Sequence, residues 1–309
     1  KTLTLNPVSE GDVPLEQAIY SSTHDAIYGV RGGWVHKFNA TTGALITSAV
    51  FSSETVGPSS ITEIGGVIYV CSWWTIKVDA IVPAFRDGRD LFTVDPTTLV
   101  ATNTHIFRDY WGGSASDYEA DWTFGIYQIT SDGTRIWGLL STGSPTALAP
   151  FYVDPSNPSG LKDRSWFMWG GGPSAGEIIW DATNSVAVMA QQYGPWVTSY
   201  DMSGAFPPTQ IQSESPPAGN RIVGLCYCAS QNRYYAVDNT SILVTVDAAD
   251  FSIFGTVNTG EALANPRRIK YNPVDGYIYV PGWASNSVII IDPATNTVVD
   301  TKTGFNQPW

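Results

Sequence analysis

A short apolar run that ends in Asp or Asn recurs six times along this chain, and this repetition restricts the fold more than any other feature. Each Asp or Asn is followed by a turn and a second β-like run, and in three copies the next residue is proline. A side-chain oxygen at such a position accepts a hydrogen bond from the backbone two residues further on, which fixes a tight turn. The copies are 45 to 59 residues apart and end at Asn39, Asp95, Asp154, Asp201, Asp247 and Asp292.

A second repeated element runs in phase with the first, and it consists of a polar turn followed by an aromatic or β-branched run. Each repeat therefore contains four predicted strands joined by turns. A four-stranded meander at this spacing is typical of one blade of a β-propeller. The six copies of the second element are His24–Val30, Gly65–Val70, Asp132–Trp137, Asn184–Val188, Asn232–Val237 and Asp275–Val280.

The repeats predict a single all-β domain over residues 1–309, folded as a six-bladed β-propeller of four-stranded antiparallel blades. Seven blades are the less favoured count. Because Thr2–Leu5 alternates with the period of a half-buried strand, we expect residues 1–15 to supply a strand that closes the ring. The predicted blades span about residues 16–56, 57–107, 122–169, 176–215, 220–260 and 265–304.

The last repeat carries a family resemblance. Residues 277–304 contain the strand Tyr277–Val280, a polar loop, the strand Val288–Asp292, a Thr-rich turn and a Val-Val strand. This segment resembles the YVTN-type repeat of NHL/YVTN-like β-propellers. The resemblance implies a propeller fold and a surface-layer or secreted protein that binds other molecules. The family also has lactonase-like relatives, but no catalytic motif of theirs has a counterpart in these residues.

The charge balance and the apolar pattern exclude two kinds of partner. Lys and Arg number 16 against 28 Asp and Glu, so the net charge of −12 repels a phosphate backbone and we expect no nucleic-acid partner. No stretch approaches the about 18 apolar residues that a membrane span requires, so we expect no membrane insertion. Scarce Lys and abundant Thr, Ser, Asn, Gly and Trp favour an extracellular, secreted or virion-surface protein.

Propeller topology predicts the short turns on one face and the long insertions on the other. The insertions are Ser72–Asp90, Arg108–Trp122, Ser141–Ala149, Gly170–Gly176 and Gly204–Asn220. Long loops often carry function, and aromatic rings stack on the C–H face of a sugar, although such rings can also serve only to pack loops and blades. The predicted ligand-binding aromatic residues are Trp73, Trp74, Tyr110, Trp111, Trp122, Trp196 and Trp283.

Charged residues are expected where the innermost strands begin, at the mouth of the central channel. These residues are Glu177, Arg221, Arg267 and Arg268. Guanidinium and carboxylate groups there suit an anionic or hydroxylated ligand. Pairing between adjacent blades is the alternative role, and the sequence leaves both open.

One insertion contains three alternating carboxylates, Asp117, Glu119 and Asp121, whose hard oxygens suit Ca²⁺; a plain acidic loop is the alternative. No other cofactor is expected. No catalytic residue is assigned, because none of the three histidines falls at the predicted channel mouth. The cysteines are expected to be small buried hydrophobic residues, and a disulfide between them stays open: Cys71, Cys226 and Cys228.

Together these features favour a non-enzymatic module that recognises a carbohydrate or a cell-surface molecule, with a glycan or a surface protein as its partner. An alternative is a structural protein of a capsid, tail or surface filament, whose aromatic loops contact further copies in a homo-oligomer or a larger assembly. A second alternative is a glycoside hydrolase or lyase in which Glu177 and either Asp117 or Asp121 act as acid and base.

Overall fold

The described part of the chain consists of β-strands and turns, which confirms the predicted all-β class. A computed structural model is the basis of this description. Within the described residues, no helix is long and apolar enough to span a membrane. The structure describes residues 17–31, 34–50, 58–72, 90–106, 126–141, 148–155, 175–191, 197–201, 209–214, 222–259, 268–282 and 284–304.

The chain divides into two compact units, and unit 1 comprises Lys1–Phe167. Its strands pair antiparallel with their neighbours in chain order, so every sheet is a simple meander. The first sheet contains β1 (Gln17–Ser21), β2 (Ala26–Arg31), β3 (Trp34–Asn39) and β4 (Leu45–Val50). The second contains β5 (Pro58–Ile64), β6 (Val67–Ser72), β7 (Asp90–Val94) and β8 (Ala101–Ile106). The third contains β9 (Ile126–Ser131), β10 (Ile136–Ser141) and β11 (Leu148–Val153).

Unit 2 comprises Met168–Trp309 and repeats the same antiparallel meander three times. The fourth sheet contains β12 (Ala175–Asp181), β13 (Val186–Gln191), β14 (Val197–Asp201) and β15 (Thr209–Glu214). The fifth contains β16 (Ile222–Cys228), β17 (Arg233–Asp238), β18 (Ile242–Asp247) and β19 (Ile253–Asn258). The sixth contains β20 (Lys270–Tyr271), β21 (Ile278–Gly282), β22 (Ser287–Asp292) and β23 (Thr297–Thr303).

The sheets are arranged as β-propeller blades within each unit. In unit 1 the first strands pack in the order β1, β5 and β9, and in unit 2 in the order β12, β16 and β20. Within each unit, a sheet is thus covered by the next one along the chain, as in a propeller. This observation confirms the predicted propeller arrangement.

The predicted number of six complete blades is wrong, because the described residues form five four-stranded sheets and one three-stranded sheet. The prediction inferred a fourth strand in the third repeat from the repeat spacing alone. After β11 the structure describes only Asp154 and Pro155 before the fourth sheet, and neither lies in a strand. Residues 156–174, where that strand was expected, and residues 1–15, the expected closing strand, lie outside the described residues.

The apolar core lies between consecutive sheets. In the fifth sheet, Leu225 and Tyr234 pack in the cluster shared with the fourth sheet, whereas Cys226 and Tyr235 pack in the cluster shared with the sixth. Successive side chains of a strand point to opposite faces, so a sheet that is covered on both sides needs apolar residues at successive positions. This requirement explains why Tyr234–Val237 is buried throughout.

Four sheets share one Asx turn after their third strand. The Asx Oδ1 atom accepts a hydrogen bond from the backbone N–H two residues on, at 2.8 or 2.9 Å. The backbone oxygen of the same residue accepts from the N–H four residues on, at the same distances, and that fourth residue has a positive φ. The pairs of first and fifth turn residues are Asn39 and Gly43, Asp95 and Leu99, Asp247 and Phe251, and Asp292 and Asn296.

Two of these turns place a bulky residue in the left-handed region. Leu99 has a φ of 58° and Phe251 a φ of 61°, a conformation that costs a non-glycine residue about 1 to 3 kcal/mol. Both side chains are buried, Leu99 in the core of unit 1 and Phe251 against Tyr234 in unit 2. Burial of the side chain therefore offsets the backbone strain, and tertiary packing rather than local preference selects the conformation.

A tyrosine to proline hydrogen bond recurs between neighbouring sheets. In unit 1 the hydroxyl of Tyr28 in β2 donates to the backbone oxygen of Pro96, which follows the third strand of the next sheet (3.2 Å). In unit 2 the hydroxyl of Tyr235 in β17 donates to the oxygen of Pro293 at the same place in the next sheet (3.3 Å). Burial raises the pKa of both phenols to about 12, so both remain protonated donors. The Asp-Pro turn of one sheet is thus tied to the second strand of the sheet before it.

We predict that Tyr235→Phe lowers the free energy of unfolding by about 1 kcal/mol, because it leaves the Pro293 carbonyl without this donor. Tyr28→Phe should cost less, because the Pro96 oxygen still accepts from Lys37 Nζ (2.8 Å). The two losses should add in the double variant, since the bonds share no partner. Urea unfolding followed by tryptophan fluorescence measures the effect. Tyr277→Phe is the control, because the Tyr277 hydroxyl has no hydrogen-bond partner among the described residues. If the urea midpoints of the Tyr28 and Tyr235 variants equal that of this control, the two hydroxyl groups do not stabilise the contact between sheets.

The turn before β10 is organised by Asp132. Its Oδ1 atom accepts from the backbone N–H groups of Thr134 (2.8 Å) and Arg135 (2.6 Å), and its Oδ2 atom accepts from Arg135 Nε (3.0 Å) and Trp137 Nε1 (2.8 Å). Burial by itself would raise the pKa of Asp132, but these hydrogen bonds outweigh it and lower the pKa to about 2. The native state therefore favours the ionised carboxylate.

The pKa of Asp132 is lower in the folded state than in the unfolded state. The Asp132 carboxylate therefore stabilises the fold above about pH 4, and this stabilisation is lost as the pH falls through about 2. We expect Asp132→Asn to cost about 1 to 2 kcal/mol at pH 7. The difference from wild type should shrink steadily between pH 4 and pH 2, as measured by urea unfolding at each pH. A difference that does not change with pH would contradict this prediction.

Candidate functional site

The first strands of neighbouring sheets in unit 1 run in the same direction. Near the start of these strands, the Gln17 carboxamide oxygen accepts from the Ile61 backbone N–H (3.2 Å). Just beyond their ends, His24 Nε2 lies 2.7 Å from the Gly66 backbone oxygen. The first turns therefore share one end of the unit, and the strand starts share the other.

Unit 2 has the same arrangement, and Glu177 connects its three first strands. The Glu177 side chain is 0% exposed. Its Oε2 atom accepts from the backbone N–H of Leu225 in β16 (2.9 Å), and its Oε1 atom accepts from Lys270 Nζ in β20 (2.9 Å). Both carboxylate oxygens are thus engaged, as a buried charge requires.

Lys270 completes this bridge from a more open position. Its side chain is 53% exposed, so the ammonium group retains water while it pairs with the buried carboxylate. Our sequence reasoning missed Lys270. The available signal was its spacing from Arg268, because residues two apart at the start of a strand share a face.

Gln17 occupies in unit 1 the position that Glu177 occupies in unit 2. Each residue lies four positions before the end of its first strand, and each accepts a hydrogen bond from a backbone N–H of the next first strand. Gln17 also accepts from the Ser60 hydroxyl, and Ser60 Oγ in turn accepts from the Ile129 backbone N–H of the third sheet (2.9 Å). A neutral amide and a hydroxyl thus perform in unit 1 the connection that an ion pair performs in unit 2.

A buried thiol lies near this ion pair. Burial raises the pKa of Cys226 well above its usual value, and the charge of Lys270 opposes that rise only in part. Cys71, Cys226 and Cys228 are buried, and none of them forms a disulfide with another. A protonated, buried thiol is a poor nucleophile, so Cys226 acts in packing.

The long connecting segments leave the sheets at the end opposite the first and third turns. In unit 1 these are residues 73–89 and 142–147, between second and third strands, and residues 107–125, between sheets. In unit 2 residues 192–196 and residue 283 have the corresponding place between second and third strands. We name this the segment end of each unit, and the other the turn end. The predicted aromatic residues in these segments lie outside the described residues: Trp73, Trp74, Tyr110, Trp111, Trp122, Trp196 and Trp283.

Of the charged residues predicted at the channel mouth, Glu177 and Arg268 are described, whereas Arg221 and Arg267 lie outside the described residues. Arg268 immediately precedes β20 and is partly buried. Its Nη1 atom is buried and has no hydrogen-bond partner among the described residues. At the segment end of unit 2, the structure therefore brings together the charges of Glu177 and Lys270, and Arg268 lies two residues before Lys270 in the chain.

The insertion predicted at Gly204–Asn220 is wrong in its middle part. Residues 209–214 form β15, which pairs with β14 as the fourth strand of its sheet. The many prolines and serines around this stretch suggested a loop, but the edge of β14 offers unpaired backbone groups that a fourth strand satisfies. Residues 204–208 consequently connect β14 and β15 at the turn end.

No group of three or more His, Cys, Asp and Glu side chains in the described ranges is placed to hold a metal ion. The predicted Ca²⁺ ligands Asp117, Glu119 and Asp121 lie outside those ranges. The Ca²⁺ site therefore stays a prediction.

No protein-family model matches the chain, and a search of curated proteins finds no match. The resemblance of residues 277–304 to the YVTN-type repeat accordingly remains a prediction.

Removing the Glu177 carboxylate should destabilise the protein strongly. We expect Glu177→Ala to cost about 3 kcal/mol, because the buried Leu225 N–H and Lys270 both lose their acceptor. Glu177→Gln should cost less, since its amide oxygen still accepts from Leu225. Adding Lys270→Met to Glu177→Gln should cost less than the sum of the single changes, because the two residues form one pair.

The matched control is the exposed pair of Asp300 and Lys302, whose side chains are 45% and 52% exposed. Asp300→Asn should leave the urea midpoint unchanged, because exposed ion pairs contribute little. If Glu177→Ala unfolds at the same urea concentration as Asp300→Asn, then Glu177 does not connect the sheets as described.

Proposed function

We propose that this chain is a non-enzymatic binding module of an extracellular or virion surface that recognises a carbohydrate or another cell-surface molecule. The observation that carries the proposal is the contrast between the two ends of the sheets. At the turn end, short Asx turns repeat with nearly constant geometry. At the segment end, the connections differ in length, and the two long segments 73–89 and 107–125 contain five of the seven predicted aromatic residues. Regular turns stabilise a scaffold, whereas variable aromatic segments are typical of a recognition surface.

The chemistry of the described first strands supports binding rather than hydrolysis. A glycosidase needs a carboxylic acid and a carboxylate that reach the substrate. Glu177, the carboxylate that a hydrolase would use, is fully buried and has both oxygens in hydrogen bonds. Its contacts are those of a structural residue that joins sheets.

A rigid scaffold also suits this proposal. The inter-sheet bonds of Glu177 and Gln17 fix the strand ends from which the segments leave, and that of Tyr235 fixes the turn end. Aromatic residues on segments with fixed ends lose less conformational entropy on binding than they would on a free chain. The resemblance of the last repeat to YVTN-type surface proteins points to the same class of function.

The first test is a glycan array probed with the purified protein, with Ca²⁺ and with a chelator. We expect discrete glycan signals that fall at least tenfold in Trp73→Ala and in Trp74→Ala, because truncating a central aromatic residue removes most of a hot spot. Tyr277→Ala is the matched control, since it removes a partly exposed aromatic ring from the turn end. Loss of the signals with chelator would assign Asp117, Glu119 and Asp121 to a Ca²⁺ site. An array without signals would reject carbohydrate recognition.

A second candidate, an assembly protein, is favoured by the outer strands. Several large apolar side chains on the fourth strands are exposed, and Phe254 in β19 is 51% exposed. An exposed edge strand with apolar residues readily pairs with another chain. The other exposed apolar residues on fourth strands are Ile46, Val50, Ile211, Ile253 and Val299.

Light scattering at several protein concentrations distinguishes the two candidates. An assembly protein should form multimers that Phe254→Ser weakens, whereas a glycan-binding module should lose array signals in Trp73→Ala without a change of mass. A protein that stays monomeric at every concentration would reject the assembly role.

A further inference from the structure

A groove of about 420 Å³ lies at the turn end of unit 1, away from the segment end. The last residues of β1, the two-residue turn Gly65–Gly66 and residue Gly133 contribute to its walls. It is therefore shared by the first turns of three consecutive sheets.

The groove results from a difference in turn length. The turn between β5 and β6 has two residues, whereas those of the flanking sheets, residues 22–25 and 132–135, have four. The middle turn is therefore shorter than both neighbours and leaves a depression between them. Gly66 has a φ of +85°, and a Cβ there would lie 3.0 Å from Thr23 Cγ2, so glycine allows the close approach of the first two turns.

The walls combine one carboxylate, one aromatic ring and two hydroxyl groups. Glu63 lines the groove, is partly buried, and its carboxylate makes no hydrogen bond or ion pair with a described residue. The Tyr20 ring is 59% exposed and is held in place because its hydroxyl donates to Asp25 Oδ1 (3.2 Å). Ser22 and Thr23 add hydroxyl groups.

The charges around the groove are unbalanced. None of the lining residues is basic. On the flanking turns, Arg135 is paired with Asp132 (3.0 Å), and His24 Nε2 lies 2.7 Å from the Gly66 backbone oxygen. The ammonium group of Lys37, on the third strand of the first sheet, donates to the Pro96 backbone oxygen (2.8 Å). The carboxylate of Glu63 therefore faces a cavity without a cationic partner from the described chain.

We propose that this groove binds a compact organic cation of the ammonium class, with the charge between Glu63 and the Tyr20 ring and the carbon chain against Ile19 and Ile64. A carboxylate attracts the ammonium charge, and an aromatic face adds a cation–π attraction. Ile19 and Ile64 offer an apolar wall for the carbon chain. A metal ion fits less well, because a single carboxylate supplies too few hard ligands. An anion is excluded by the charge of Glu63.

The ammonium group can come from a free amine or from a lysine side chain of a peptide, and two probes separate these sources. The first probe is n-butylammonium chloride, and the second is N-acetyl-lysine methylamide. Each is titrated into the ¹⁵N-labelled protein, and the backbone amide signals of Gly65, Gly66 and Gly133 report on binding. We expect saturable shifts of these three signals. A lower Kd for the lysine derivative would indicate a peptide partner. A lower Kd for the free amine would indicate a small metabolite.

Two variants test whether Glu63 and Tyr20 contribute to binding, and a third variant is the control. Glu63→Gln and Tyr20→Ala should each weaken n-butylammonium binding about three- to fivefold, the range expected for one partly exposed charge pair or one cation–π contact. Tyr277→Ala removes an exposed ring from unit 2 and should bind as wild type does. Urea unfolding of each variant verifies that the fold is retained.

The neutral compound n-butanol provides the decisive comparison. If n-butanol shifts the three glycine signals as strongly as n-butylammonium, or if Glu63→Gln binds n-butylammonium as tightly as wild type, the cation site is rejected. Because the groove lies at the turn end, its failure and the failure of glycan binding at the segment end are independent results.

Discussion

A β-sheet with two apolar faces can bury them only against neighbouring sheets. The fifth sheet shows the constraint most clearly, since Leu225 and Tyr234 pack toward one neighbour while Cys226 and Tyr235 pack toward the other. A single sheet would leave one or both faces in water, so its stability depends on the repeat before it and the repeat after it. Stacking of sheets is therefore the interaction on which every other feature depends.

Polar contacts determine how the stacked sheets are aligned. Apolar packing is nondirectional and would tolerate a shift of one sheet along the next. The hydrogen bonds from Tyr28 and Tyr235 to proline carbonyls, and those accepted by Gln17 and Glu177, each join a defined atom to a defined backbone position. The bonds of Tyr235 and Glu177 are buried, so a shift would leave their donors and acceptors unpaired at a cost of about 1 to 3 kcal/mol each. Those of Tyr28 and Gln17 are partly buried. The alignment they impose fixes the strand ends at which the long segments begin.

The two ends of the sheets consequently have different capacities for change. At the turn end, the Asx turns must satisfy a fixed hydrogen-bond pattern and keep buried residues such as Leu99 and Phe251 in place. At the segment end, connections of different length leave from the same scaffold without disturbing it. Ligand binding by the long segments is compatible with this difference between the two ends. The groove at the turn end is compatible with it too, because it forms where the turn Gly65–Gly66 is shorter than its neighbours.

The sequence by itself determined the strands and turns, because the alternation of apolar residues and the Asx positions act over a few residues of chain. Asn39, Asp95, Asp247 and Asp292 could be assigned to turns for this reason. It could not determine how many sheets have a fourth strand, since β15 depends on the free edge of β14. Nor could it reveal the role of Glu177, because a carboxylate at a strand start predicts a ligand contact and a sheet contact equally well. Only the tertiary structure decided this, since the Leu225 N–H and Lys270 come from 48 and 93 residues further along the chain.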